Sequence, residues 1–215
     1  MKIVYRDNFL DPEYIIVHHS ATSSSISLER SLLSFNASHK ARFPTQKSSL
    51  GYNIAYHFII AKNGKIKQTR EVGAIGYHAG NYSVNLHSIG ICLIGNFNKE
   101  KPSSEQENSL RELLLKFKNE FDIKYILPHR RIKKSTDCYG KLLSDDWAEK
   151  LTMLDELVRD KKGGFYFIKR GDNGKQKIDT KNKGVGGMLT ILSRAFGVET
   201  VSNKFLKDKE DKKYF

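Results

Sequence analysis

Two imidazoles and a thiol stand where a folded chain could bring them together. The sequence holds seven histidines and two cysteines. His18 closes the apolar run YIIVHHS, His129 follows YILP directly, and Cys138 comes after eight intervening residues, in the polar loop KKSTDCYG. Imidazole and thiolate are zinc ligands, and three protein ligands leave a tetrahedral ion one position for water. That donor set suits hydrolysis. More than a hundred residues separate His18 from His129, so no local finger spacing supports the set. From spacing alone two readings stand: a metal site, or ordinary core and surface histidines beside a free thiol.

The elements around these residues must hold them. YIIVHHS is a strand, and adjacent strand residues face opposite ways, so only one of His18 and His19 can face a site. Ser27 is an N-cap for a helix whose apolar face is Leu28, Leu32, Leu33 and Phe35. GYNIAYHFIIA (51–61) is rich in aromatic and β-branched residues and predicts a strand; Asn63-Gly64 is a hairpin turn and KIKQTR its return. GAIGYHAGNYSVNLH (73–87) predicts a long loop. SIGICLIGNF (88–97) is nearly continuous in apolar character, as in a strand buried on both faces. Ser103 and Gln106 have capping-box spacing, followed by a helix with Leu110, Leu113, Leu114, Phe117 and Phe121 on one face. YIL (125–127) is a short strand, and SDDWAEKLTMLDELVRD (144–160) predicts a closing helix. Strands alternating with helices imply an α/β fold, a central mixed β-sheet flanked by helices.

The 215 residues suffice for one domain with an appendage. At 39% hydrophobic and 11% aromatic residues the chain can build a core. No apolar run is long enough to cross a bilayer, and the N-terminus becomes charged too early for a secretory leader. The expectation is a chain made in the cytoplasm, without a signal peptide. Cys92 sits in the apolar run SIGICLIG, where a buried inert thiol is expected.

The formal net charge is +13. Residues 1–160 carry 23 basic and 18 acidic residues, whereas 161–215 carry 14 and 6. The excess therefore concentrates in the last quarter of the chain, after Gly163-Gly164. Such a segment attracts polyanions, whether nucleic acid, acidic lipid headgroups or anionic cell-wall polymers, and composition does not choose among them. No recognisable nucleic-acid motif organises the charge, so specific nucleic-acid binding is not expected.

VHHSAT, GYNIAYHFII with NGK behind it, YHAG, HSIGICLIG and PHR…STDC resemble, in that order, the type 2 N-acetylmuramoyl-L-alanine amidases. That family includes phage endolysins and peptidoglycan recognition proteins. The resemblance runs from about residue 13 to residue 158 and implies a mixed sheet with surrounding helices. It implies His18, His129 and Cys138 as zinc ligands, with His19 turned to the other face. Tyr56 matches a tyrosine beside the metal that hydrogen-bonds the metal water or the developing oxyanion; as an isolated residue it would read as a strand tyrosine packing on the sheet. His78 matches a histidine lining the substrate groove, and His57 would be structural. Thr136 stands where the family has a lysine or threonine and is, with Tyr56, the catalytic residue the resemblance implies, offering a hydroxyl to the oxyanion; Lys133 and Lys134, nearby in sequence, are candidates for the charge a threonine lacks, which loop geometry decides. Tyr139 departs from the proline usual after the cysteine.

The resemblance implies a zinc-dependent hydrolase of the amide between N-acetylmuramic acid and L-alanine in peptidoglycan. A phage-type endolysin acting on the wall after release fits a chain without a leader. A non-catalytic recognition protein and a cytosolic recycling amidase are the alternatives. The expected organisation is a zinc amidase domain over 1–160, monomeric, and a basic C-terminal segment over 161–215. Within that segment FIKRGDNGKQ and MLTILSRAFGV resemble wall-binding repeats, while a solvated basic extension or a membrane-active amphipathic helix fits the same residues.

Overall fold

The computed structural model describes residues 1–152 and the strands Glu156–Arg159 and Phe165–Ile168. The chain divides into two compact units, Met1–Thr152 and Met153–Phe215. The wall-binding resemblance at MLTILSRAFGV lies outside the described residues.

In the first unit, a five-stranded sheet runs β1 (Tyr14–His19), β2 (Phe58–Ile60), β3 (Ile66–Gln68), β4 (Ser88–Leu93) and β5 (Tyr125–Pro128) in chain order. In space the order is β3-β2-β4-β1-β5. The contacts β2–β4, β4–β1 and β1–β5 are parallel, and the β2–β3 hairpin is antiparallel. The sheet is mixed and carries helices, as the sequence predicts.

Alternation along β1 decides what each face holds. Ile15 and Val17 join Phe58, Ile60, Ile89 and Ile91 under α3 (Ser104–Glu120), whose Leu110, Leu113, Leu114 and Phe117 are buried. The predicted capping box of Ser103 and Gln106 starts that helix. On the opposite face Ile59 and Cys92 pack beneath α1 (Leu28–Arg42) through Leu28, Leu32 and Phe35. Ser27 caps α1, but Leu33 points to solvent at 74% exposure and leaves the expected apolar face. His18 pairs with Cys92 in the β1–β4 register and lies on the α1 side. His19 turns to the α3 side, where its Nδ1 accepts the Phe97 N–H.

Three expectations change. β2 is three residues long rather than spanning 51–61. The Asn53 and Ala55 N–H groups go to Asn36 Oδ1 and His39 Nδ1 of α1, not to a neighbouring strand. The expected loop 73–87 contains α2 (Tyr82–Leu86), capped by the Asn81 side chain. After the single-turn α4 (His129–Ile132), the closing helix is reduced to α5 (Trp147–Lys150). Glu156–Arg159 instead forms β6, antiparallel to β7 (Phe165–Ile168). A strand partner supplies ladder hydrogen bonds that a helical pattern in the sequence does not reveal.

Candidate functional site

β1, β5 and the loop after α4 bring His18, His129 and Cys138 together, with one donor atom of each within 4.8 Å of the others. His18 and Cys138 are buried and His129 is half-buried. Cys138 Sγ stands 3.7 Å from His18 Nδ1. The His18 and His129 ring centroids are 4.6 Å apart. The Cys138 sulfur also receives the His19 backbone N–H at 3.4 Å, and its own N–H bonds to Thr136 Oγ1 at 3.2 Å. Thr136 thus grips the backbone of the cysteine loop. Neither cysteine is paired; Cys92 is a buried free thiol in the core of the α1 side.

Each imidazole has one nitrogen committed away from the cluster. His129 Nε2 lies 3.2 Å from the Ala79 carbonyl, so it carries the proton and leaves Nδ1 for the cluster. His18 Nε2 lies 3.0 Å from His78 Nδ1, which again leaves Nδ1 facing the thiol. Burial is the main force lowering the pKa of both histidines, well below the ordinary value for His18. Burial pushes the Cys138 thiol up to about 12. The metal-free cluster is therefore neutral.

These donors fit a zinc ion. Bonds of about 2.0 Å to nitrogen and 2.3 Å to sulfur in a tetrahedron imply an N···S edge of about 3.5 Å, and the observed Sγ–Nδ1 separation is 3.7 Å. Two imidazoles locked with lone pairs inward and one thiol make a three-ligand set. A backbone carbonyl is a usual outward partner of a metal-bound histidine, and His129 has one in Ala79, while His18 has the His78 ring in that place.

Tyr56 stands beside the cluster, its ring 5.0 Å from that of His18, on the same side as α1. Burial first, then the nearby cysteines, hold its phenol well above the usual range. It is a proton donor at neutral pH. His78 is 94% buried rather than open to a groove. Its ring fills space that only glycine leaves: a Cβ on Gly76 or on Gly90 would come within 2.5 Å of His78 Cδ2. His57 is structural, with Nδ1 accepting the Gly90 N–H and Nε2 donating to the Ala74 carbonyl. Lys133 lays its stem across Gly80, its Cδ 3.1 Å from where a Cβ would stand, next to the Ala79 that holds His129. Tyr139 is fully buried, and its hydroxyl donates to the Ser144 and Asp145 carbonyls.

Two contributors carry no motif signal of their own. Asn85 Oδ1 accepts the N–H groups of both His78 and Ala79, and His39 supports the backbone before Tyr56. Periodicity cannot disclose either one, because each acts through the backbone of a different segment: Asn85 reaches back six and seven positions into the loop before α2, and His39 reaches sixteen positions ahead.

Comparison with known proteins places this site in context. A family profile described as N-acetylmuramoyl-L-alanine amidase matches residues 8–141. A peptidoglycan-recognition protein SC2 of Drosophila melanogaster is 32% identical over 133 residues, covering 59% of this chain and 67% of that protein. An endolysin of Klebsiella phage KP32 is 31% identical over 85 residues, 37% of this chain and 55% of the endolysin. Among solved structures, N-acetylmuramoyl-L-alanine amidase LysC from Clostridium intestinale aligns with a TM-score of 0.53 at 28% identity, covering 66% of this chain and 91% of that one.

Proposed function

This chain belongs to the N-acetylmuramoyl-L-alanine amidase family, and from that premise we propose that it is a zinc-dependent peptidoglycan hydrolase. The bond cut is the amide between N-acetylmuramic acid and L-alanine. The observation that carries the reading is the convergence of His18, His129 and Cys138 donor atoms within 4.8 Å.

Zinc at this cluster would supply a Lewis acid for the amide carbonyl and lower the pKa of the attacking water. The chain's residues do the rest. His18 and His129 offer Nδ1, fixed by the hydrogen bonds of their Nε2 atoms. Cys138 offers a thiolate once its proton leaves. Tyr56, kept protonated by burial, donates a hydrogen bond to the oxygen that gains charge as the carbonyl is attacked. Thr136 orders the cysteine loop, and Lys133, whose side chain lies along Gly80, would supply the cation a threonine does not provide.

Likeness to phage endolysins supports a lysin that reaches the wall after release. Among the described residues no helix is long and apolar enough to cross a membrane. We assign the amidase role to residues 1–160 and anionic wall-polymer attraction to the basic segment 161–215. Likeness to a recognition protein keeps binding without hydrolysis as the second reading. The test is a suspension of purified sacculi. Clearing that chelator stops and zinc restores, with free L-alanine amino termini appearing in the digest, supports the hydrolase. Sedimentation of the protein with sacculi and no new amino termini supports recognition alone.

A further inference from the structure

The two ligand imidazoles are oriented by neighbouring residues. His18 Nε2 lies 3.0 Å from His78 Nδ1 and is the donor of that pair when His18 Nδ1 serves as the ligand atom, and His129 donates through Nε2 to the carbonyl of Ala79. A single dipeptide therefore sets which nitrogen each ligand turns to the cluster. The proton order is consistent throughout: with His78 Nδ1 accepting, its Nε2 carries a proton toward Ser88 Oγ at 3.4 Å. The dipeptide is itself gripped at one point. Asn85 Oδ1 accepts the His78 N–H at 3.1 Å and the Ala79 N–H at 2.9 Å. Asn85 lies in α2 and is 92% buried.

We propose that Asn85 is the positioning residue of the metal centre, holding the His78–Ala79 backbone so that both imidazoles present Nδ1 together. It touches neither donor atom nor substrate. A buried carbonyl oxygen that satisfies two N–H groups at once leaves both unsatisfied when it is removed. The dipeptide would then be free to shift, and partners that orient metal ligands affect affinity about 10- to 100-fold. The inference extends the zinc reading above to the backbone behind the ligands.

The test measures zinc affinity of the full chain, stripped of metal, by competition with a chromophoric chelator. Far-UV circular dichroism checks the metal-free fold. Asn85→Leu, which has no acceptor, should weaken zinc binding at least about tenfold. Asn85→Asp keeps an oxygen that can accept both N–H groups and should stay within about threefold of the parent, since backbone N–H donors favour a carboxylate. His78→Ala, which removes the ring acceptor and leaves the Asn85 grip, should match the Leu variant. A folded Asn85→Leu protein that binds zinc as the parent does would overturn the proposal. If Asn85→Leu does not fold, parent-like zinc affinity in His78→Ala, or a tenfold loss in a folded Asn85→Asp, would overturn it instead. Failure of the parent to bind zinc at all would overturn the hydrolase reading, and this inference with it.

Discussion

Cys138 Sγ stands 3.7 Å from His18 Nδ1, although the two residues are 120 positions apart in the chain. β1 delivers one and the loop after α4 the other, and each carries a proton-accepting or proton-releasing atom into the same small volume. With His129 they make the three-donor set, and removing any one of the three leaves two protein donors. Cys138→Ala and His129→Ala should each lose zinc during dialysis and reduce sacculus clearing to background, with the far-UV spectrum of the metal-free protein retained. A Cys138→Ala protein with full metal content and full activity would show that the ligand assignment is wrong.

Tyr56→Phe separates metal binding from transition-state stabilisation. The phenol lies beside His18 and is held protonated, so its hydroxyl is suited to donate to an oxyanion. Deleting such a donor costs about 100-fold in kcat. Zinc affinity should stay within about twofold, because the phenol is no part of the donor set. Equal losses of turnover and zinc would mark Tyr56 as structural support only.

The two neighbouring lysines should differ. Lys133 lies along Gly80, beside the residue that holds His129. Lys133→Met should lower kcat by about tenfold, the size of one charge-assisted hydrogen bond in the transition state, whereas Lys134→Met should leave it near the parent value. Steady-state rates on a soluble muropeptide decide this, and equal rates for both variants would remove Lys133 from the mechanism.

The basic segment can be separated from the chemistry. Residues 161–215 hold 14 basic and 6 acidic side chains. Deleting them should weaken sedimentation with sacculi at low salt, and raising the salt should shrink the difference, because screening reduces attraction to polyanions. Cleavage of a small muropeptide should persist, since the donor cluster lies entirely within Met1–Thr152. Identical sedimentation of the two proteins at low salt would end the wall-polymer role.

Much of the frame could be read from residues with strong local rules. The capping box at Ser103, the Asn63-Gly64 turn and the unbroken apolar run of β4 all follow from chemistry within a few positions. Strand alternation allowed only one of His18 and His19 to face a site, and the family resemblance picked His18. The short β2 is not legible because α1 side chains take the backbone N–H groups before it, and the Asn85 grip is not legible because 73–87 carries no local signal for a helix whose asparagine folds back onto the preceding loop. His78 shows the same limit: its motif was legible, but only the geometry places its ring against His18 rather than in an open groove. Leu33 reverses the pattern, an apolar residue at helical spacing that no neighbour covers among the described residues.

Acid should unfold the metal-free protein in a defined window. His39 and His57 are held at about 4, below the ordinary value of 6.5, and burial is the leading cause for both. The unfolded chain therefore binds more protons than the folded one between those limits, and stability falls as pH is lowered. It is fully present above about pH 6.5 and is lost progressively toward pH 4. For fully buried His57 the difference corresponds to something on the order of 3 kcal/mol. Urea midpoints measured from pH 8 to pH 4 should stay level at first and then drop. His39→Phe sharpens the test. It orphans the Ala55 N–H and so should be less stable at pH 8, yet its decline on acidification should be shallower than the parent's, because one proton-binding site has gone. A parent midpoint unchanged between pH 6.5 and pH 4 would contradict the neutral, buried state of these imidazoles.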